Sequence, residues 1–454
     1  MTDTLRHAGP PHTMYTAYRG ETSRSRALFG RALAVMPGGN TRHSVILNPY
    51  PVYLASGRGC RVTDVEGEER IDFLNNFTSL IHGHADPDVT AAAQARVALG
   101  TAFAGPTELD VELAELLVDR VPTMQQVRFC NSGSEAVMLA VKLARACTGR
   151  AKIAKIEGAY HGIYDYAQVS EFSNESNWGA AVRPASVLDA GSPRSVASEV
   201  VVMPWNDAEA CERLIEEHHD QLAAVLIDAI PLGLSLVAAE PGFLERLRAV
   251  TRRLGILFIA DEILNFRLGY HGAFHDLGIQ PDITCLGKII GGGFPVGAVG
   301  GRADVMDAFD HRRPDAVHHG GTYNGNPVTM AAGLATMRKM TPEAYVRLNA
   351  LGDSLRDQLS AMLRDRGIAA QVFGRGSLFA VRLTHDELRD WRSVSRHVAS
   401  EPIYGQLSHE MLGRGILMSQ RGITGTLSTP MGPAEIGAFV EALDDALRAL
   451  GRTA

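Results

Sequence analysis

The 454-residue sequence has few cysteines and no excess of positive charge. Its five cysteines are scattered without a Cys-x-x-Cys pair, so their spacing indicates neither a disulfide framework nor a zinc site. The formal net charge of −7 comes from interspersed acidic and basic residues, which argues against a nucleic-acid-binding arm and against a polybasic membrane patch. We therefore expect reduced thiols and small-molecule partners.

Long apolar stretches are also missing from the chain. No run of about eighteen consecutive apolar residues is available to form a membrane-spanning helix, and residues 1–11 have no apolar segment like that of a signal peptide. These features predict a cytoplasmic protein without membrane partners. Because 45% of the residues are apolar, the chain can bury a large core, and its length suggests about two to three domains.

Short β-rich runs alternate with helical stretches through the middle of the chain. The runs begin near Val127, Ile153, Val200, Ala223, Ile256 and Ile283. Near-continuous apolar strands separated by helices are typical of a mainly parallel sheet that is covered on both faces, so we predict an α/β fold. A last helix, from about Pro433 to Leu450, has apolar residues along one face and is expected to cover a small C-terminal sheet.

An acid and a lysine follow two of these predicted strands. Asp261 ends an apolar run, and Lys288 lies between an apolar strand and Ile289-Ile290, which is an unusual place for a solvated ammonium. Pyridoxal phosphate chemistry needs such a pair: the lysine forms a Schiff base with the cofactor aldehyde, and the carboxylate keeps the pyridine nitrogen protonated. Taken singly, Asp261 could equally be a helix-capping or ion-paired acid, and Lys288 a surface lysine.

A turn of small residues, Asn131-Ser132-Gly133-Ser134, follows a strand and opens an apolar helix. Free N–H groups and the positive end of the helix dipole suit a phosphate dianion, and the hydroxyls of Ser132 and Ser134 add hydrogen-bond donors. An ordinary helix N-cap is the simpler interpretation of the same residues. The turn alone therefore does not decide between phosphate binding and capping.

Two further segments contain candidate ligand-binding residues. After the next strand, the ring of Tyr160 can stack on a flat heteroaromatic group, and Gly162 allows close approach of the backbone. Without further context, burial for packing alone is the favoured interpretation of Tyr160 and His161. Thr322, in a turn-rich segment before Pro327, could contact a phosphate or simply belong to the turn that starts the next helix.

In this order, the motifs resemble those of the class III aminotransferases of fold type I, from about Arg31 to Leu447. Within that class, residues 37–39, 83–87 and 105–109 are most similar to the glutamate-1-semialdehyde aminomutase group. The resemblance implies a PLP-transferase fold with a large cofactor-binding domain over residues 71–335. A smaller α+β domain would combine residues 1–70 and 336–454.

The resemblance also implies roles for individual residues and pyridoxal 5′-phosphate as the cofactor. Lys288 matches the Schiff-base lysine, Asp261 the partner of the pyridine nitrogen, and Tyr160 the residue stacked on the ring. The phosphate-binding residues would be Ser132, Gly133 and Ser134 together with Thr322, which in the family reaches the phosphate of the neighbouring subunit. A homodimer with active sites at the interface is therefore expected.

The predicted substrate side differs from that of the aminomutases. The segments around Arg42 and Arg421 resemble those of β-amino-acid aminotransferases such as the β-phenylalanine enzymes, and either guanidinium could hold a substrate carboxylate in a bidentate pair. Surface salt bridges are the alternative. Asp228-Ala229 stands where the family usually has Glu-Pro. The shorter acid would lengthen a contact near the cofactor ring or route it through water, which allows altered reaction specificity or reduced activity.

We therefore predict an aminotransferase that moves an amino group from an amino acid, with β-amino acids as candidates, to a keto acid. Because a freed Lys288 can deliver protons to different atoms, an aminomutase or an epimerase is the nearest alternative. The α/β pattern alone would also permit a dinucleotide-binding oxidoreductase, but no Gly-x-Gly-x-x-Gly turn stands at a suitable strand end. A catalytically silent scaffold is a further alternative, raised by Asp228-Ala229.

Overall fold

The computed structural model describes residues 23–400, 403–419 and 422–452. Its strands are β1 (Leu54–Arg58), β2 (Arg61–Asp64), β3 (Glu69–Asp72), β4 (Gln126–Cys130), β5 (Lys152–Ile156), β6 (Gly179–Ala180), β7 (Arg183–Pro184), β8 (Val200–Met203), β9 (Leu222–Asp228), β10 (Leu257–Asp261), β11 (Ile283–Gly287), β12 (Gly297–Gly301), β13 (Gln371–Phe373), β14 (Leu378–Arg382), β15 (Ile416–Leu417) and β16 (Ile423–Thr426).

The helices include both long and single-turn segments. They are α1 (Ser23–Leu33), α2 (Pro87–Val97), α3 (Glu108–Arg120), α4 (Gly133–Thr148), α5 (Asp165–Gln168), α6 (Val196–Glu199), α7 (Ala208–Glu217), α8 (Phe243–Arg253), α9 (Ala273–Asp276), α10 (Ala303–Met306), α11 (Pro327–Lys339), α12 (Pro342–Asp365), α13 (Trp391–Ser400), α14 (Ile403–Gly413) and α15 (Pro433–Ala449). Turns of 3₁₀ helix occur at Pro37–Gly39, His43–Val45, Asn265–Leu268, Lys288–Gly291 and Asp307–Phe309, and a left-handed helical turn spans Asn75–Thr78.

A seven-stranded sheet forms the centre of the molecule, in the order β4-β12-β11-β10-β9-β5-β8. Only β12 runs antiparallel to its neighbours β4 and β11, so the prediction of a mainly parallel α/β sheet is confirmed. Along β9, Val225 and Ile227 join the apolar cluster that includes α7 and α8. Leu226 joins the cluster of α4 on the other side, as the alternation of a doubly covered strand requires.

The parallel strands bring distant parts of the sequence to one edge of the sheet. β9 ends at Asp228 and β10 at Asp261, and these two residues are register partners across the strand pair. On the other side of β10, Asp261 is paired with Cys285 in β11, and Lys288 follows directly after that strand. Open α/β sheets bind ligands at the carboxyl ends of their strands, and this edge is where the predicted residues meet.

The remaining sheets join the two ends of the chain. β15, near the C-terminus, pairs with β3 in a four-stranded sheet of order β1-β2-β3-β15, while β13, β14 and β16 form a three-stranded antiparallel sheet. The predicted terminal helix is present as α15. Its Phe439 ring lies 4.6 Å from the Phe73 ring and 5.0 Å from the Phe379 ring of β14. The predicted domain limits at residues 70 and 335 remain a prediction.

Candidate active site

Lys288 lies in a strained position directly after β11. Its φ angle is +51°, in the left-handed region that a residue with a Cβ atom rarely adopts. The following turn is tightly packed: a Cβ atom on Gly292 would lie 2.5 Å from the Ala332 carbonyl oxygen. Desolvation lowers the pKa of the Lys288 ammonium to about 8, against the opposing attraction of Asp261. A lysine with this pKa has a substantial neutral fraction near physiological pH, which a nucleophilic amine needs.

Asp261 is buried at the end of β10 and is held on both oxygens. Its Oδ2 atom lies 2.8 Å from Nδ1 of His161, and its Oδ1 atom accepts a hydrogen bond of 3.0 Å from the Ile263 amide. An ionised carboxylate at Nδ1 favours a proton on that nitrogen. The other nitrogen of His161, Nε2, is buried and has no hydrogen-bond partner within the described residues.

Asp228 places a second buried carboxyl group beside Asp261. Burial raises the pKa of Asp228 to about 6, and the Asp261 charge adds to this effect while His161 and Lys155 oppose it. Its Oδ1 atom is buried and has no hydrogen-bond partner in the part of the chain that the structure describes. Asp228, the acid that is one methylene shorter than the family's usual glutamate, therefore ends β9 as a buried side chain.

The Ser132–Ser134 turn packs against the two neighbouring segments. Ser132 caps α4 by accepting a hydrogen bond of 3.2 Å from the Glu135 amide, and Ser134 Oγ accepts one of 3.1 Å from the Ile163 amide. The simpler N-cap interpretation is thus realised at Ser132. Since each hydroxyl accepts in these bonds, its own proton is available for a further acceptor such as a phosphate.

Two glycines make this packing possible. A Cβ atom on Gly133 would lie 2.8 Å from the Ile263 side chain, and one on Gly162 would lie 2.4 Å from Ser134 Oγ. Gly162 also has a φ angle of +93°. The turn at Gly133 therefore packs directly against the Ile263 side chain that follows β10, and Gly162 in the loop after β5 packs directly against Ser134, which is the close approach that glycine permits.

Lys155, which sequence reasoning missed, fixes the loop that carries Tyr160. Its fully buried ammonium donates hydrogen bonds of 3.0 Å to the Ala159 carbonyl and 2.7 Å to the Val169 carbonyl. Desolvation lowers its pKa to about 8. Tyr160, directly after Ala159, is 53% exposed. A lysine between the apolar residues of β5 (Lys152–Ile156) is the sequence signal for this role, because buried lysines are rare.

Arg267 is a fully buried cation beside Lys288. It donates to Ser377 Oγ and to the Thr78 carbonyl, both at 2.9 Å, and also to the Leu427 carbonyl. Desolvation lowers its pKa to about 9, and its charge in turn lowers the pKa of Lys288. The bonds connect the Lys288 side of the site to segments from both ends of the chain.

The remaining predicted residues lie at the periphery. Arg42 is exposed, and its Nη1 atom donates a hydrogen bond of 3.0 Å to Asn76 Oδ1. Thr322 is exposed in the turn before α11, where its neighbour Asn324 accepts a hydrogen bond of 2.8 Å from Asn131. Arg421 falls outside the described residues. The structure thus brings together the inner residues and leaves Arg42 and Thr322 at the surface.

Taken together, the inner residues fit a pyridoxal phosphate molecule. The N-terminal end of α4 suits the phosphate, Gly133 and Gly162 add no side chains of their own there, and Asp261 is held as an acceptor for a ring N–H. The unpartnered Nε2 of His161 and Oδ1 of Asp228 are buried polar atoms of the kind that a ligand satisfies.

Comparison with known families agrees with this geometry. The family model "Aminotransferase class-III" matches residues 44–428. The chain belongs to the class III aminotransferases. It is an enzyme of this class, and its cofactor is pyridoxal 5′-phosphate. The predicted family, fold and cofactor are therefore confirmed.

Three similar proteins show the range of the family around this chain. The chain is 37% identical over 432 residues to glutamate-1-semialdehyde 2,1-aminomutase 2 from Halalkalibacterium halodurans. The aligned residues cover 94% of this chain and 98% of that protein. An omega-transaminase structure from Sphaerobacter thermophilus is 51% identical, with a TM-score of 0.91 and 95% and 99% coverage. A β-phenylalanine aminotransferase structure from Variovorax paradoxus is 33% identical, with a TM-score of 0.86 and 96% coverage of each chain.

No helix within residues 23–400, 403–419 and 422–452 combines the length and the apolar character needed to cross a membrane.

Proposed function

We propose that this class III aminotransferase takes its amino group from a β-amino acid and passes it to a keto acid. The observation that carries the proposal is the guanidinium of Arg42 at the periphery of a site centred on Asp261 and Lys288, because it provides a cation for a substrate carboxylate. The names of the omega-transaminase and the β-phenylalanine aminotransferase among the similar structures support it.

In this proposal, each inner residue has one task. Bound pyridoxal phosphate supplies the aldehyde and the electron-accepting ring. The Lys288 amine would hold the cofactor and, when free, would act as the base that takes up and returns a proton at the substrate carbon. Asp261, held by His161, keeps the ring nitrogen protonated. Asp228 faces the same edge of the sheet and modulates the charge there.

The phosphate turn, Tyr160 and two arginines complete the proposed site. Ser132, Gly133 and Ser134 hold the phosphate at the α4 N-terminus, and Tyr160 stacks on the ring. Arg42 and, outside the described residues, Arg421 bind substrate carboxylates.

We further propose a cytoplasmic homodimer in which the Thr322 hydroxyl of one subunit contacts the cofactor phosphate of the other subunit. Exposed apolar side chains near the site support an interface, among them Tyr323 at 61% and Phe294 at 38% exposure. All five cysteines are unpaired, as expected for a reducing compartment.

A panel of α-, β- and ω-amino donors with pyruvate and with 2-oxoglutarate tests the substrate. We expect keto product from β-amino acids, together with visible absorbance that is lost in Lys288→Ala. Glutamate 1-semialdehyde belongs in the panel because a relative is named as its aminomutase. Conversion of glutamate 1-semialdehyde to 5-aminolevulinate, without keto product from any β-amino acid, would replace the proposal by the aminomutase alternative.

A further inference from the structure

A left-handed turn of four non-glycine residues lies after β3. Asn75, Asn76, Phe77 and Thr78 have φ angles of +46°, +46°, +54° and +74°. Each such residue costs on the order of 1–2 kcal/mol, so the turn persists only where its surroundings hold it. Backbone strain of this kind concentrates at functional sites, which makes the outward-facing residues of the turn candidates for a role.

The inward residues of the turn are tied to the protein. Asn75 is buried. Its side-chain amide donates a hydrogen bond of 2.9 Å to the Thr426 carbonyl, and its backbone amide donates one of 3.0 Å to Asp72 Oδ1. Thr78 is also buried, and its carbonyl accepts from Arg267. The turn is thereby anchored on both sides.

The turn lies next to the Lys288 segment. Arg267, which binds the Thr78 carbonyl, is the cation whose charge lowers the pKa of Lys288. Leu80, just after the turn, approaches the glycine loop that follows Lys288: a Cβ atom on Gly293 would lie 2.9 Å from its Cδ2 atom. The turn is therefore joined to the cation that acts on Lys288, and the residue that follows it lies against the glycine loop after the lysine.

The two outward residues of the turn both contact Arg42. Asn76 Oδ1 accepts a hydrogen bond of 3.0 Å from Arg42 Nη1, and the guanidinium carbon lies 5.4 Å from the centre of the Phe77 ring. On its other side, the Asn76 amide nitrogen donates to Ser79 Oγ at 3.1 Å. The Asn76 amide is thus itself oriented, and it presents its oxygen to Arg42.

We propose that Asn76 is a positioning residue that holds Arg42 ready for the carboxylate of an amino-acid substrate; the inference rests on the proposed function. An amide oxygen occupies one N–H of the guanidinium and leaves the others for a bidentate carboxylate. Being neutral, it also leaves the positive charge of Arg42 uncompensated, whereas an aspartate would neutralise it. Asparagine combines this neutrality with tolerance of a left-handed backbone.

The test uses two substitutions that suit the backbone. Asn76→Gly removes the amide and relaxes the turn, and Asn76→Asp keeps the shape but adds a charge beside Arg42. Each is compared with wild type, with Arg42→Ala and with the Asn76→Gly/Arg42→Ala double variant. The readouts are KM and kcat for β-phenylalanine and for 1-phenylpropylamine, which lacks the carboxylate. Calorimetric binding of 3-phenylpropanoate, which has the carboxylate but no amine, gives a readout without turnover.

We expect Asn76→Gly to raise KM for β-phenylalanine and weaken 3-phenylpropanoate binding about 3- to 10-fold, with little change in kcat. Asn76→Asp should weaken both by about tenfold or more, because the new carboxylate competes for Arg42. Values for 1-phenylpropylamine should change much less than those for β-phenylalanine, and the double variant should match Arg42→Ala.

Several outcomes would overturn the inference. Equal losses for the amine and for the carboxylate ligands would mean that Asn76 only supports the fold. Additive effects in the double variant would mean that Asn76 does not act through Arg42. If Arg42→Ala weakens 3-phenylpropanoate binding but Asn76→Gly does not, the inference fails while the proposed function stands. If wild type makes keto product only from donors other than β-amino acids, the proposed function fails, and 3-phenylpropanoate binding still decides the role of Asn76.

Discussion

His161 Nδ1 and Asp261 Oδ2 lie 2.8 Å apart, and both side chains are buried. The two residues are 100 positions apart in sequence and meet because the loop after β5 crosses the end of β10. With the Ile263 amide on its other oxygen, Asp261 has a fixed orientation. Preorganised charge of this kind is worth more in a buried site than in water.

The first prediction concerns this hydrogen bond. His161→Phe removes the N–H donor at similar size, so the Asp261 carboxylate is less well held and stabilises a protonated ring nitrogen less. We expect kcat to fall by about 10- to 100-fold, whereas His161→Gln, which keeps an N–H donor, should recover part of the loss. Steady-state kinetics with the visible spectrum of the bound cofactor checks this. An unchanged kcat in His161→Phe would contradict the role.

The second prediction uses two glycines with positive φ angles. Ala at Gly162 (φ +93°) would bring Cβ to 2.4 Å from Ser134 Oγ, whereas Ala at Gly149 (φ +67°), at the end of α4, meets nothing within 4 Å. Gly149→Ala should lower the free energy of unfolding by about 1 kcal/mol through backbone strain alone. Gly162→Ala should lower it further and weaken cofactor binding about tenfold or more, because it pushes on the phosphate turn.

Urea unfolding and titration with pyridoxal phosphate measure both effects. Cofactor affinity should be unchanged in Gly149→Ala. Equal affinities in the two variants would show that the contact between Gly162 and Ser134 is unimportant for the site.

The third prediction is a pH dependence of stability in the cofactor-free protein. Burial raises the pKa of Asp228 from 3.8 to about 6. A raised folded-state pKa means that the folded protein binds the proton more tightly than the unfolded chain, so this contribution is fully present below pH 3.8 and is lost as the pH rises through about 6. Glu262, whose pKa burial raises to about 7, acts in the same direction.

The side chain in Asp228→Asn cannot ionise, so this variant does not lose stability through position 228 as the pH rises. Its free energy of unfolding relative to wild type should therefore increase by about 1–3 kcal/mol between pH 4 and pH 8. Urea unfolding at several pH values provides the measurement, and the Glu262 contribution cancels because both proteins contain it. A difference that stays constant over this range would show that Asp228 does not titrate as described.

Sequence patterns predicted the positions of the acids and the lysine at the centre of the site better than the strand that packs beside them. Asp228, Asp261 and Lys288 could be placed because each follows an apolar run, and the ends of parallel strands meet at one edge. The strand β12 could not be placed, because Gly297-Ala298-Val299-Gly300-Gly301 has three glycines and only one β-branched residue, Val299. Glycine is favoured there because β12 packs closely: a Cβ atom on Gly297 would lie 2.0 Å from the Ser132 carbonyl oxygen.

The turn of Asn75–Thr78 was also beyond sequence reasoning. Its residues have no glycine to signal positive φ angles, and its conformation depends on contacts with Arg267 and Thr426, which are distant in sequence. The role of Lys155 has a different cause. A single lysine in an apolar strand can be recognised in the sequence, but its hydrogen-bond partners are two backbone carbonyls whose positions are defined only by the folded loop. Tertiary contacts rather than local propensity determine both features.

The last prediction tests whether Thr322 serves the other subunit. Homodimers of Thr322→Asp should lose most activity through repulsion of the phosphate, and homodimers of Lys288→Ala should be inactive. A mixed dimer of one Thr322→Asp chain and one Lys288→Ala chain can be isolated with two different tags. Its one intact site would combine Lys288 of the Thr322→Asp chain with Thr322 of the Lys288→Ala chain. This site should restore up to about half of the wild-type activity per dimer. If Thr322 served its own chain, the mixed dimer would contain no intact site and would remain inactive, and a monomer in sedimentation would rule out the shared site altogether.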